Sequence, residues 1–184
     1  MENKTSSLLN GELNSGEYGK FYAVYIQQSS GRDLFDLFRD GRENVNRLID
    51  ALDESSASYR YAPDKWTIRE IIGHLTDTER IMAYRALAIS RGEQIGLPGY
   101  DHNQYVDEAN FDELKLQQFR TDYNHVRSST ESLFRSFSDE MLLRSGTASG
   151  SPFSVRALGY IIAGHELHHL KVLKERYFGG IALN

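Results

Sequence analysis

The predicted fold is decided by residues 154–179, which read SVRALGYIIAGHELHHLKVLKERYFG. Ser154 is a residue type that caps helix starts, and a glycine at position 179 is typical of a helix end. Positions three or four apart form a single inward stripe, as in an amphipathic helix; they are Val155, Leu158, Ile162, His165, His169, Val172 and Arg176. The segment therefore predicts one long helix that carries two histidines on its buried face.

Upstream, a second long helix is predicted to begin at Thr67 and to end near Gly92. Thr67 and Glu70 have the spacing of a capping box, and Trp66 and Ile71 have the spacing of the hydrophobic staple that accompanies it. The inward stripe of this helix consists of Ile68, Ile72, Leu75, Glu79, Met82, Ala86 and Ile89. A carboxylate, Glu79, thus falls on a face that is otherwise apolar.

Two more helices are predicted over residues 32–52 and 111–137, because apolar residues recur there at helical spacing. The inner face of the second one is predicted to contain Phe119, Tyr123, Val126, Thr130, Leu133 and Phe137. Residues 93–110 and 145–152, each with a proline and several glycines or polar residues, are predicted to be loops. A short helical turn is expected between them at 139–144.

Four long helices without strand-type alternation predict an all-α, up-down four-helix bundle over residues 32–178. Residues 1–31 are predicted to form a partly irregular N-terminal arm. From about Tyr18 onward, the aromatic side chains of this arm are expected to pack on the bundle. Residues 179–184 are predicted to be a C-terminal tail.

The composition excludes several classes of protein. The chain has 184 residues, enough for one domain with its own core, and no cysteine, which excludes disulfide scaffolds, cysteine nucleophiles and thiolate metal sites. A net charge of −5 disfavours a protein that binds nucleic acid through its phosphates. No apolar run approaches the roughly 18–20 residues that cross a bilayer, and the polar N-terminus lacks the apolar segment of a secretory signal. We therefore expect a cytoplasmic protein without nucleic-acid or membrane partners.

His165 and His169 are four residues apart, so their side chains lie on one helix face with Cβ atoms about 6 Å apart. This spacing lets two imidazoles bind one divalent cation at about 2.0–2.1 Å. The alternative is that one histidine is hydrogen-bonded in the core and the other lies at the rim of the bundle. The pair also matches the H-E-x-x-H motif of zinc metalloproteases, but Val172 and Glu175 stand where the metzincin motif continues with glycine and histidine. A metalloprotease is therefore not expected.

A third metal ligand has to come from the other imidazoles, which are His74, His102, His125 and His168. His168 lies about 100° around the helix from His169, and His125 is on a helix flank, so both are expected to be peripheral. His74, near the start of its helix, can face the later half of the last helix if the two helices are antiparallel. Three neutral imidazoles would leave a fourth coordination position open, as in catalytic zinc sites.

Four segments of the chain resemble the DinB-like (YfiT-like) superfamily of metal-dependent enzymes, which are four-helix bundles. They are residues 61–75, YAPDKWTIREIIGHL, the pair 77–80 and 84–87, and residues 158–169, LGYIIAGHELHH, within a resemblance that covers about 32–177. The resemblance implies that the metal ligands are His74, His165 and His169. It also implies a divalent ion such as zinc or nickel and a homodimer. In some relatives it implies chemistry with a low-molecular-weight thiol such as bacillithiol, mycothiol or glutathione.

Two carboxylates near this site are candidate catalytic residues. Glu79 either pairs with an arginine such as Arg156 or Arg85, or accepts a hydrogen bond from a ligand imidazole. Glu166 lies about 100° around the helix from His165, and it either acts as an acid or base or belongs to the surface or a dimer interface. Three loop residues either line the mouth of the pocket or form plain surface: Tyr100, Asp101 and His102.

The sequence thus predicts an enzyme that acts on a small molecule and depends on zinc, nickel or manganese at the three histidines. The predicted reaction is transfer with a low-molecular-weight thiol, or else hydrolysis, with the metal as a Lewis acid. Because the chain has no cysteine, the thiol would come from a cofactor or a substrate. Two other functions stay open: a non-catalytic metal-binding or stress-associated bundle protein, and a metal-free helical interaction module.

Overall fold

The computed structural model describes residues 6–180, and among them it contains seven α-helices and one two-stranded antiparallel sheet. The helices are α1 (Ala23–Ser29), α2 (Leu34–Asp50), α3 (Ile68–Ser90), α4 (His102–Glu108), α5 (Leu116–Arg135), α6 (Asp139–Leu143) and α7 (Val155–Val172). The strands are β1 (Ser145–Ala148) and β2 (Ser151–Ser154). α7 continues into a π-helical turn, Leu173–Tyr177. Residues 1–5 of the predicted arm and 181–184 of the predicted tail lie outside the described part of the chain.

The long helices α2, α3, α5 and α7 form a four-helix bundle, which confirms the predicted fold class. α2 and α3 both pack against α5 and α7, so α2 and α3 occupy opposite corners of the bundle. Apolar side chains fill two cores, one around Phe38 and Leu158 and the other around Ile72 and Tyr123. The buried polar residues described below lie between these two halves. Within residues 6–180, no helix combines the length and the apolar character that a membrane span requires.

The long connection between α3 and α5 lets these two helices run in the same direction. Near the start of both helices, the Arg69 guanidinium donates to the Leu114 carbonyl at 2.6 Å. Farther along both helices, the Arg127 guanidinium donates to the Glu79 carboxylate at 2.8 Å. α3 and α5 therefore run parallel, and the up-down alternation applies to the steps from α2 to α3 and from α5 to α7.

The N-terminal arm packs on α7, as the sequence predicts. α1 approaches α7 so closely that a Cβ atom at Gly164 would overlap the backbone carbonyl of Tyr25. Farther upstream in the arm, Glu17 forms a salt bridge of 2.6 Å with the buried guanidinium of Arg156 on α7. The arm is thus held by side-chain pairing as well as by aromatic packing, and it contains a short helix in addition to irregular turns.

The predicted loop 145–152 is a β-hairpin in the structure. Ala148 pairs with Ser151, so the turn consists of Ser149 and Gly150, both with positive φ (50° and 70°). Such a two-residue turn matches the twist of the flanking strands. The loop prediction was wrong because strands of four residues are too short to give a recognisable alternation of apolar and polar residues.

The region around the other predicted loop, 93–110, also differs from the prediction. It contains α4, which Asp101 caps by accepting a hydrogen bond of 2.9 Å from the backbone N–H of Asn103. Next, Asn110 adopts a left-handed conformation with φ of 51°, and Phe111–Glu113 form a 3-10 turn. The following helix therefore begins at Leu116 rather than at residue 111.

Candidate metal centre

Three histidines meet where the first turns of α3 cross the later half of α7. α3 begins at the predicted capping box. The Thr67 hydroxyl accepts from the backbone N–H of Glu70 at 3.1 Å, and the Glu70 carboxylate accepts from the backbone N–H of Thr67 at 2.6 Å. This cap fixes the first turns of α3 and, with them, His74. Because α3 and α7 run antiparallel, His74 faces His165 and His169.

The three imidazoles converge on one point. Nε2 of His165 lies 3.0 Å from Nε2 of His74 and 3.1 Å from Nε2 of His169. One ring nitrogen of each histidine lies within 4.8 Å of the others. A ring nitrogen carries either one hydrogen or one lone pair, so Nε2 of His165 can form a hydrogen bond with only one of its two neighbours. Nitrogens bound to a tetrahedral zinc are about 3.3 Å apart, so this donor set fits a divalent cation.

Burial keeps these imidazoles neutral. His74 and His165 are 7% and 6% exposed. Burial, and after it the neighbouring charge of His102, lowers the pKa of His74 to about 4. Burial and the other histidines lower the pKa of His169 to about 3 and hold the pKa of His165 well below its ordinary value. Neutral imidazoles offer the lone pairs that a metal ion needs.

The neighbours of the histidines hold the rings in place. The Thr78 hydroxyl lies 3.4 Å from Nδ1 of His74 and 3.1 Å from the hydroxyl of Tyr100. The Trp66 ring packs 4.7 Å from the His74 ring, and the Tyr25 ring meets the His165 ring edge-on at 5.3 Å, measured between ring centroids. These contacts leave Nε2 of His74 and His165 directed at the common point, as outer contacts do for metal-binding histidines.

A cavity of about 370 Å³ reaches the histidine cluster from one side. Its walls are largely aromatic and apolar and come from the arm, α3, α7 and the loop before α4: Phe21, Tyr22, Tyr25, Trp66, Met82, Tyr100 and Ile161. Thr78 and Ser149 contribute hydroxyl groups. Among the described residues that line the cavity, none is aspartate, glutamate, lysine or arginine. A metal ion at the histidines would therefore be approached through a largely apolar cavity.

The other candidate residues have different positions. Tyr100 and His102 line the cavity, whereas Asp101 caps α4 and does not. His168 is half-buried and lines the cavity without joining the ligand cluster. His125 is exposed on α5, as predicted. The part that the arm plays in the cavity wall is not among the predicted features, although the density of aromatic residues after Tyr18 is a usable signal for it.

The carboxylates Glu79 and Glu166 belong to a second buried polar cluster, in which Arg127 is the central residue. The Arg127 guanidinium, which is 0% exposed, donates to both carboxylates at 2.8 Å and to the Phe38 carbonyl at 3.0 Å. The Tyr123 hydroxyl donates to Glu166 at 2.6 Å. Burial raises the pKa of Glu166 and Tyr123, and the two carboxylates hold the pKa of Arg127 well above its ordinary value despite its burial. We call these four side chains the Arg127 network.

This network corrects two predictions. Glu79 pairs with Arg127 rather than with Arg156 or Arg85, and Glu166 is buried rather than at the surface or in a dimer interface. The cause is the rotational phase of α5. Its buried positions include Arg127 and Phe134, one residue beyond the predicted Val126 and Leu133. An arginine was not expected on an inward face, because charged side chains are rarely buried unless paired.

Comparison with known proteins places the chain among four-helix bundles. A family model described as the DinB superfamily matches residues 37–173. YfiT from Bacillus subtilis, described as a probable metal-dependent hydrolase with an unusual four-helix bundle topology, has a TM-score of 0.70. It is 14% identical over 77% of this chain and 82% of that chain.

A mycothiol-dependent maleylpyruvate isomerase is also similar in structure. Its TM-score is 0.64 at 17% identity, and the match covers 80% of this chain but only 62% of that chain. The present chain thus spans less than two thirds of that protein. No relative was found among curated proteins. At these identities, the structural matches establish the fold.

Proposed function

The chain belongs to the DinB superfamily, and from this premise we propose that His74, His165 and His169 bind one divalent metal ion, zinc, nickel or manganese, in a metal-dependent enzyme. One observation carries the proposal: three neutral imidazole nitrogens within 4.8 Å of one another face a cavity that is open to solvent. A closed structural site would have a fourth protein ligand. Among the described residues, only these three histidines form such a ligand group.

A divalent ion held there would supply a Lewis acid that lowers the pKa of a thiol or a water molecule. The residues of the chain hold and shield the reacting groups. Thr78 contacts Nδ1 of His74, so that Nε2 is the nitrogen that faces the metal position. The aromatic walls of the cavity, with Trp66 and Tyr25 beside the ligands, make the surroundings of the ligands less polar than water and so strengthen electrostatic interactions there.

Of the two reactions, we favour transfer with a low-molecular-weight thiol over hydrolysis. Attack by water generally needs a base that removes a proton. Glu79 and Glu166, the candidate carboxylates, are bound to Arg127 and do not line the cavity, so we assign them a structural role. A thiol has an ordinary pKa of about 8.5, against 15.7 for water, so a metal ion has to lower the pKa of a thiol far less to give the anion.

Further properties belong to the same proposal: a small-molecule substrate, no nucleic-acid partner, a cytoplasmic location and a homodimer. A net charge of −5 supports the absence of phosphate binding through surface cations. A groove between α2 and α7 is lined by apolar side chains beside charged ones, and its apolar part supports contact with a second copy. The apolar residues are Leu48, Leu167, Leu170 and Phe178, and the charged residues are Arg47, Lys171, Lys174 and Glu175. Light scattering on the eluate of a size-exclusion column measures the mass, and a monomer at micromolar concentration would contradict the dimer.

The experiment that tests the metal site is elemental analysis of protein purified without a nickel column. We expect about one equivalent of zinc, nickel or manganese in the native protein and less than about a tenth of that in His74→Ala, because two imidazoles bind far more weakly than three. His125→Ala is the matched control, since it removes an exposed histidine on α5. Native protein without metal, even after divalent ions are added, would refute the proposal.

The thiol is tested by spectroscopy on nickel-loaded protein. Addition of glutathione, mycothiol or bacillithiol should produce a sulfur-to-nickel charge-transfer band if the thiol binds at the metal. A metal-loaded protein that gives no band with any of the three thiols would favour hydrolysis or a non-catalytic site. The same thiols with His74→Ala are the baseline.

A further inference from the structure

The hairpin turn between β1 and β2 places a strained serine in the wall of the metal cavity. Ser149 has φ of 50°, in the left-handed region that favours glycine and asparagine. Gly150, its partner in the turn, has φ of 70°, so the turn has the pattern in which Asn-Gly, Asp-Gly or Gly-Gly is usual. Non-glycine residues held in this region cluster at functional sites. The Ser149 side chain lines the cavity that the three histidines share.

A buried arginine lies directly behind this serine. Arg85 on α3 is 2% exposed, and its guanidinium donates to the Ser149 Oγ at 2.8 Å and to the Pro98 carbonyl at 3.0 Å. The neighbouring loop is pinned to the same turn, because the backbone N–H of Ser149 donates to the Leu97 carbonyl at 3.0 Å. The guanidinium also lies 5.9 Å from the ring of Tyr100, another residue of the cavity wall.

Arg85 differs from the other buried arginines of the protein. Arg69, Arg127 and Arg156 each form a salt bridge with at least one glutamate. Among residues 6–180, Arg85 takes part in no salt bridge and has only neutral acceptors. A buried cation without a counter-charge is costly, so its retention needs an explanation.

The geometry points to an anion-binding corner of the metal cavity, formed by Ser149 and Arg85. Because the Ser149 Oγ accepts from Arg85, its own hydrogen is free to point into the cavity and to donate to a ligand. The cavity lining contains no carboxylate among the described residues, so the positive potential of Arg85 is not cancelled there. The substrate therefore carries an anionic oxygen, as in a carboxylate, sulfonate or phosphate, next to an apolar body. This inference rests on the proposed function, since it names the substrate class of the same site.

The test compares two probes of similar shape, naphthalene-1-sulfonate and the uncharged naphthalene-1-methanol, in equilibrium dialysis against the metal-loaded full chain. We expect the sulfonate to bind about tenfold more tightly, the size of a charge-assisted hydrogen bond. Ser149→Gly should bring the ratio of the two dissociation constants close to one.

Two further variants separate binding from structure. Asn110→Gly is the matched control, since Asn110 is the other non-glycine residue with positive φ among residues 6–180 and does not line the cavity. It should leave the ratio at about ten. Arg85→Met removes the charge at similar length and should lower the ratio as Ser149→Gly does, whereas a purely structural arginine would change the melting temperature alone.

Several results would overturn the inference. They are a ratio of the two dissociation constants near one in the native protein, no binding of either probe, or a ratio that Ser149→Gly and Arg85→Met both leave unchanged. A preference that disappears only in His74→Ala would place the anion on the metal, which refutes the anion-binding corner but agrees with the proposed function. If native protein binds no metal but still prefers the anion, and Ser149→Gly loses that preference, the proposed function is refuted and the anion-binding corner is supported.

Discussion

Two buried polar clusters lie side by side in the middle of the bundle, and they differ in whether their polar groups have partners within the protein. In the Arg127 network, one cation donates to two carboxylates and a backbone carbonyl, and a tyrosine hydroxyl donates to one of the carboxylates, so each charged group has a partner of opposite sign. In the histidine cluster, a neutral nitrogen of His165 lies 3.0 and 3.1 Å from the nitrogens of two other neutral imidazoles, with no such partner.

This difference separates structure from function. The network is complete within the protein and has no access to the cavity, as expected for a cluster that joins α3, α5 and α7. It even requires the absence of a side chain at Gly41 on α2, where a Cβ atom would overlap the Glu166 carboxylate. The histidine cluster is incomplete by itself and open to the cavity, as expected for a site that receives a ligand.

The largest effect on stability is predicted for Arg127→Met. This change leaves Glu79 and Glu166 buried without their cation, and it should lower the free energy of unfolding by about 3–5 kcal/mol. Metal content should stay unchanged, because the histidines have no hydrogen bond to the network. Urea denaturation and elemental analysis measure the two quantities. Arg39→Met, which removes an exposed arginine on α2, is the control and should cost no more than about 0.5 kcal/mol.

Apolar substitutions of both carboxylates should reverse the loss of stability that Arg127→Met causes. Glu79→Leu and Glu166→Leu, combined with Arg127→Met, should recover most of the lost stability, because an apolar set of similar volume needs no desolvation of charge. If Arg127→Met alone costs less than about 1 kcal/mol, the comparison fails and the network is not the structural centre that we describe.

The next effect is a pH dependence of the metal-free protein. The pKa of His74 is lowered to about 4 in the folded protein, whereas it is near 6.5 in the unfolded chain. Between these values the unfolded chain binds more protons, so stability is complete above about pH 6.5 and is lost as the pH falls toward 4. For His74 alone the loss is on the order of 3 kcal/mol. The raised pKa of Glu166 has the opposite sign and cannot produce this loss.

Urea denaturation of chelator-treated protein between pH 7 and pH 4 measures how the free energy of unfolding changes with pH. His74→Ala should reduce this dependence of stability on pH without removing it, because the lowered pKa values of His165 and His169 act in the same direction. His125→Ala, at an exposed histidine, should leave the dependence unchanged. An equal slope in His74→Ala and in the native chain would mean that the acid sensitivity comes from other groups.

The smallest change in stability is predicted for His165→Leu in the metal-free protein. Replacement of a buried imidazole that cannot satisfy both of its neighbours should leave stability unchanged or raise it by about 1 kcal/mol. Metal binding should be lost, and with it the stabilisation that saturating metal gives the native protein. Thermal denaturation with and without added zinc measures both effects. Full metal occupancy in His165→Leu would show that the ligand assignment is wrong.

The metal-ligand candidates could be selected from the sequence because they share a helical stripe or a capped helix start. His165 and His169 fall on the buried stripe of α7, and the capping box at Thr67 fixed the start of α3 and so the placement of His74. These are local properties of one helix at a time. Arg127 could not be found in this way, because it is buried through pairing with residues on two other helices, and its type argued for an exposed position.

The sequence by itself determined the four-helix bundle, the beginnings of α3 and α7, and the set of histidines from which a metal site could be built, because short-range periodicity and capping encode these features. Only the tertiary structure decided which partner Glu79 and Glu166 have, that the arm forms a wall of the cavity, and that Ser149 lies on Arg85. Each of these depends on contacts between segments far apart in the chain. Such contacts are fixed by the rotation of whole helices and by short turns, which leave no periodic signal in the sequence.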